Sequence, residues 1–303
     1  MKSFKILTFD GGGIKGVLST EILYRISLEF PNFLDEVDLI AGTSTGSIIA
    51  GLLANGTTPK EVKDLYNMKM AKQIFSSPRL NLFRPKFSNK NLKNVISTYF
   101  SEDLKLKDLK KKILIPSFNI NGNKDSSWSP VFFNNLKNDE ISNTSLRDAV
   151  ISSSSAPTYF PSYNGHIDGS VIANSPTAIS IFYALSNYST ICDMKNIKLL
   201  SIGTGDIPEK IYGPNKNWGV MQWAFNPLNK MKSPILSLLM DGMSELEDKY
   251  CKEFLKSNYF RINPKIFKFI DMSEYKFMPY LSSVGASYDL SSLFKFIENT
   301  YLK

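Results

Sequence analysis

The chain of 303 residues is 43% hydrophobic, carries a formal net charge of +8 and contains two cysteines and one histidine. That apolar content suffices for the core of one large α/β domain over 1–303, and no linker-like stretch forces a second. Cys192 and Cys251 stand far apart without a CxxC pair or a Cys/His cluster, so neither a disulfide framework nor a bound metal or other cofactor is expected.

In chain order, the first strand-type run, 4–9, begins almost at the N-terminus. No charged and then apolar stretch precedes it, and no apolar run approaches the roughly 20 residues that cross a bilayer. A cytoplasmic protein is therefore expected. Helical periodicity follows at 17–29, a strand at 37–41, helices at 46–55, 59–71 and 89–99, and a strand at 113–118. Beyond these come a helix at 175–186, a strand at 197–202, a helix at 234–256, a strand at 259–262 and a helix at 289–299. Strands that alternate with helices predict a mainly parallel sheet covered on both faces. The basic run Lys105, Lys107, Lys110, Lys111 and Lys112 reads as a solvated helix face, with an anionic lipid surface as the alternative. Residues 205–233, rich in Gly, Pro, Asn and Lys, predict a long irregular loop and a candidate lid. Its Trp218, Trp223 and Phe225 suit either a small core under the loop or a membrane headgroup boundary.

The chemistry concentrates on two turns. Asp10-Gly11-Gly12-Gly13-Ile14-Lys15-Gly16 follows the first strand, and Gly42-Thr43-Ser44-Thr45-Gly46 follows the second. A serine with a glycine two residues to either side can occupy a strained strand-to-helix turn, its hydroxyl presented at the helix N-terminus. The run Gly11 to Gly13 supplies successive N–H groups that can converge on one anion, with the charge of Lys15 nearby. Gly11, Gly13 and Gly16 also have the dinucleotide-binding spacing. That fingerprint expects an acidic residue at the end of the second strand, where this chain has Gly42. The nucleophile needs a base. His166 precedes its nearby acid Asp168, the reverse of the usual hydrolase order. Either His166 acts in an unfamiliar order, or a carboxylate accepts the serine proton directly, for which Asp168 in Ile167-Asp168-Gly169-Ser170 is placed.

Together with Ser154-Ser155-Ala156-Pro157 and Leu200-Ser201-Ile202-Gly203-Thr204-Gly205, these motifs resemble the ordered set of the patatin-like phospholipases. Met240-Asp241-Gly242 and Tyr259-Phe260-Arg261-Ile262 resemble the downstream part of bacterial members. The resemblance implies a three-layer α/β/α fold and a Ca²⁺-independent lipid acyl hydrolase. It places the nucleophile at Ser44, framed by Gly42 and Gly46, the base at Asp168, and the oxyanion hole at Gly11, Gly12 and Gly13. Ser170 departs from the Gly or Ala usual in the family, and would cost about 1 kcal/mol if that backbone required positive φ. Some compact bacterial members are anti-phage effectors switched on by a cyclic oligonucleotide. The expected partners are accordingly membrane phospholipids met peripherally at the inner face, a cyclic-nucleotide activator and a homo-oligomer, and no DNA or RNA polymer. A nucleotide-binding module and a noncatalytic scaffold are the alternative readings.

Overall fold

The computed structural model describes residues 3–79, 83–122, 127–188, 193–206, 215–226 and 233–303. Among the described residues seven strands form one sheet: β1 (Phe4–Phe9), β2 (Leu39–Gly42), β3 (Lys112–Asn119), β4 (Ser129–Asn134), β5 (His166–Asp168), β6 (Ile197–Ile202) and β7 (Tyr259–Ile262). The order is β4-β3-β2-β1-β6-β7, and β5 pairs with β3. Strands β3, β2, β1, β6 and β7 are parallel neighbours, while β4 and β5 run antiparallel to β3.

The helices in chain order are α1 (Gly16–Glu29), α2 (Thr45–Ala54), α3 (Pro59–Leu65), α4 (Met68–Ile74), α5 (Asn89–Tyr99) and α6 (Leu146–Ser153). They continue with α7 (Ser170–Ala173), α8 (Thr177–Asn187), α9 (Val220–Ala224), α10 (Pro234–Leu255), α11 (Met278–Ser287) and α12 (Ser291–Phe296). Alternate strand residues face opposite ways, which divides the core in two. Leu7, Phe9, Ile40, Ile113, Leu200 and Ile202 pack with α1, α2, α5, α6, α11 and α12. Phe4, Ile6, Leu39, Leu114 and Leu199 pack with α8 and α10. A mostly parallel sheet with helices on both faces is thus realised.

Several elements differ from the sequence reading. The helix expected at 59–71 is broken, because Asn67 caps a new helix by accepting the Met70 N–H at 3.0 Å. The basic run is no helix face. Its lysines lie in and around a short 3₁₀ turn (Leu106–Asp108) and at the start of β3, where Lys111 donates to the carbonyls of Asp35 and Val37 and Lys112 to that of Asn135. Within the expected loop 205–233, the described residues include α9, and Trp218 meets Trp223 edge to face at 5.3 Å. Residues 207–214 and 227–232 of that loop lie outside the described residues.

The register brings the chemistry together. Phe9 pairs with Gly42 on one side and Ile202 on the other, so the turns after β1, β2 and β6 meet at the carboxyl end of the sheet. This is where parallel sheets hold ligands.

Candidate active site

Ser44 stands at the N-cap of α2 with φ of 53° and ψ of −120°, a conformation that non-glycine residues hold only when their surroundings fix it. Both flanking glycines are sterically required. A Cβ on Gly42 would collide with the Gly46 carbonyl oxygen, and one on Gly46 with that of Phe9. Gly46→Ala is therefore expected to lower the unfolding free energy by about 1–3 kcal/mol through overpacking, measurable by urea denaturation.

Hydrogen bonds lock the strained turn. The Ser44 N–H donates to Ser153 Oγ at 3.0 Å, and the Ser44 carbonyl accepts from Ser47 Oγ at 2.6 Å and Ser154 Oγ at 3.3 Å. The same serine-rich segment reaches the acid: the Asp168 N–H donates to the Ser155 carbonyl at 3.0 Å and the Gly169 N–H to that of Ser153 at 3.3 Å. The segment thus brackets nucleophile and acid together, a role its sequence alone does not disclose.

Asp168 ends β5, held opposite Ser117 of β3. It is 2% exposed. Ser44 Oγ donates to its Oδ2 at 2.6 Å, and the Ser170 N–H donates to its Oδ1 at 2.8 Å. Burial pushes its carboxyl up to about 6, against the opposing pull of the hydrogen bonds from Ser44 and Ser170. Ser170 lies in the first turn of α7 without positive φ, so the departure from glycine carries no backbone cost. His166 lies two residues before Asp168, but its Nδ1 pairs with the Asn164 carbonyl at 2.8 Å and its ring packs on Phe133. Among the described residues it makes no hydrogen bond to Ser44 or Asp168.

The glycine turn lies against Ser44: a Cβ on Gly11 would come within 3.4 Å of Ser44 Cβ. Gly12 and Gly13 adopt φ of 155° and 60°, open to them because they lack a side chain. Of the three predicted donors one is corrected: the Gly11 N–H is taken by the Asn174 carbonyl at 2.9 Å. Among the described residues the N–H groups of Gly12 and Gly13 are unpaired, as is that of Thr45, the first residue of α2. Gly16 packs against Thr45 and Tyr66, which accounts for the third glycine of the dinucleotide-like spacing as a helix contact.

Two spaces border these turns. A cleft of about 1600 Å³ is lined by Gly11, Gly12, Lys15, Phe225 and Arg261 among others. A smaller, apolar pocket touches Ser44 and is walled by Ile48, Met70, Ile74, Phe75, Phe160 and Met278. Behind the glycine turn, Asp10 is clamped by Arg261, whose Nη2 and Nη1 donate to its two oxygens at 2.5 and 3.2 Å. Asn174 is a further residue the sequence reading missed. Its Nδ2 donates to Ser244 Oγ at 3.1 Å and its Oδ1, buried against Gly11, has no partner among the described residues.

Residues 7–181 match the family model described as patatin-like phospholipase. Protein teg of Priestia megaterium is 30% identical, the alignment covering 99% of this chain and 100% of that protein. Patatin-like protein 3 of Arabidopsis thaliana is 28% identical over 92% of this chain and 79% of its own length. A cGAMP-activated phospholipase of Vibrio cholerae is 30% identical over 66% of this chain and 64% of its own length.

Proposed function

The chain belongs to the patatin-like phospholipase family, and from that premise we propose that it cleaves fatty-acyl esters of glycerophospholipids through a Ser44–Asp168 dyad, as a phospholipase A or lysophospholipase. The observation that carries this reading is the 2.6 Å hydrogen bond from Ser44 Oγ to the buried Asp168 carboxylate, on a turn that holds Ser44 at positive φ.

Asp168 takes the Ser44 proton as Oγ attacks the ester carbonyl. The oxyanion settles against the N–H groups of Gly12, Gly13 and Thr45, at the N-terminus of α2, with Lys15 adding positive charge nearby. The tetrahedral adduct collapses, the leaving alkoxide takes the proton from Asp168, and the lysolipid departs. A water then gives its proton to Asp168 and attacks the acyl-Ser44 carbonyl. Collapse returns the proton to Ser44 Oγ and releases the fatty acid. The apolar pocket beside Ser44 suits the start of the acyl chain, and the cleft suits the rest of the lipid. We place this action at the inner face of a membrane, by peripheral contact.

The test is fatty-acid release from phospholipid vesicles in EDTA. Wild type should release fatty acid and Ser44→Ala should not; a wild type inactive on vesicles and soluble esters alike overturns the reading. Because the ionised base is required, kcat/KM should rise with pH and reach half its plateau near the Asp168 value of about 6. A profile flat from pH 5 to 8 would remove a titrating carboxylate from the rate law.

Regulation by a cyclic nucleotide enters on the likeness to the V. cholerae phospholipase. It predicts that vesicle hydrolysis rises when one member of a cyclic-dinucleotide panel is added. Equal rates with every member count against it.

A further inference from the structure

A helix packed on a sheet ordinarily turns one apolar stripe inward and a polar face outward. Helix α10 turns Cys251 and Leu255 inward, yet its outer face is apolar as well. Ile235, Leu238, Leu239, Leu246, Tyr250 and Phe254 are between 38% and 62% exposed. Their spacings of three, one, seven, four and four residues keep all six on one side of the helix over about 29 Å. Helix α9 packs against α10 and adds Val220 and Met221, 82% and 69% exposed. Exposed Lys249 and Glu253 interrupt the lower half of this side, so the apolar grouping is densest at Ile235, Leu238 and Leu239, unlike the scattered single residues of an ordinary protein exterior.

The surface has a fixed relation to the candidate active site. Leu236, Ser237 and Met240, on the neighbouring face of α10, line the cleft, and Met221 belongs to both. The stripe therefore runs beside the opening that leads to Gly11 and Gly12. Lys249 and Lys252 pair with Glu245 and Asp248 one turn earlier on the same helix, and Lys216 is exposed just before α9. The cations of α10 are thus matched by acids on the same helix, and attraction to an anionic bilayer comes from the net charge of +8 of the whole chain.

We propose that the outer face of α10, continued by α9, seats the protein on an anionic phospholipid bilayer so that the cleft opens directly onto the membrane. The proposal rests on the lipid-hydrolase reading for its choice of occupant. A lipid can then pass from bilayer to cleft without exposing its acyl chains to water.

Wild type and the double variant Leu238→Ser, Leu239→Ser are sedimented with vesicles of phosphatidylglycerol and phosphatidylethanolamine in equal parts. Neither leucine lines the cleft, so hydrolysis of a soluble short-chain ester should be unchanged. Vesicle partitioning should fall by at least about tenfold, since two leucines lose their burial in the boundary, and vesicle hydrolysis should fall with it. In a second measurement, the emission of Leu239→Trp should shift to the blue on adding vesicles, while that of Leu28→Trp, on α1 across the sheet, should not. Unchanged partitioning of the double variant overturns the proposal. So does a wild-type dimer that the double variant dissociates, which would assign the face to a second copy. If wild type cleaves neither vesicle lipid nor soluble ester, the hydrolase reading fails, while sedimentation still decides whether this face binds membrane.

Discussion

Asp168→Asn is expected to cost roughly three to four orders of magnitude in kcat and, at the same time, to make the fold more stable at neutral pH. The amide can still accept the Ser170 N–H and face Ser44 Oγ, so the local geometry is kept. It cannot take the Ser44 proton, so turnover is lost as in Ser44→Ala. The stability gain follows from burial. The Asp168 carboxyl lies near 6 in the folded protein against an ordinary 3.8, a difference of about 3 kcal/mol at full ionisation. Because the folded value is the higher one, wild type keeps this stability below the ordinary aspartate value and loses it as pH rises through about 6. Asparagine has no such loss. Urea denaturation should therefore show the two proteins nearly equal at about pH 4 and the variant ahead at about pH 8, by up to the same 3 kcal/mol. His166→Ala, whose parent side chain touches neither Ser44 nor Asp168, should stay within about tenfold of wild-type kcat. A folded Asp168→Asn that turns over within about tenfold of wild type would take Asp168 out of the chemistry.

That residue, Ser44 and the glycines were legible in the sequence because each sits in a turn that small residues mark locally. The parallel strands were legible for a related reason: β1, β6 and β7 are mainly apolar runs, broken only by Lys5, Thr8, Lys198, Ser201 and Arg261, and occur where the sequence reading puts them. Strand β4 was missed because Pro130 and half-buried positions blur its pattern, and β5 because three residues are too few for one. Helix α6 hid in a serine-rich stretch whose serines bond to Ser44 and neighbouring turns. The supporting residues were illegible on different grounds. Asn174 and Ser153 act through contacts with a turn more than 100 residues away. The use of the Gly11 amide by Asn174 appears only when α7 docks beneath the glycine turn. Local chemistry announces a reacting group; its supports depend on tertiary register.

Arg261 shows that dependence in energetic form, and Arg261→Met is expected to lower the unfolding free energy by about 3–5 kcal/mol at neutral pH. Strand β7 pairs in register with β6, setting Arg261 beside Ser201, to whose Oγ it donates at 2.7 Å. From there its guanidinium reaches Asp10, 251 positions earlier, which is 3% exposed and leads straight into the glycine turn. Burial opposes the Arg261 charge, but Asp10 holds it protonated beyond the usual arginine range. A second acid lies close by. Glu247 is buried against Thr177, and burial pushes its carboxyl up to about 7, with the charge of Asp10 adding to the rise. Methionine preserves much of the stem's volume and removes the cation, leaving Asp10 without its counter-charge. Since a carboxyl raised in the folded state withdraws stability as pH increases, the deficit should be larger at about pH 8 than at about pH 5. Adding Asp10→Asn to Arg261→Met removes the uncompensated charge and should recover most of the loss, a coupling that a double-mutant cycle in urea measures directly. Its effect on turnover should be separate and incomplete, because Asn at position 10 no longer has a guanidinium to align the carbonyl end of β1 with Gly11 and Gly12. A double variant as unstable as Arg261→Met alone would place the residue's contribution in its hydrogen bond to Ser201 and leave the ion pair with none.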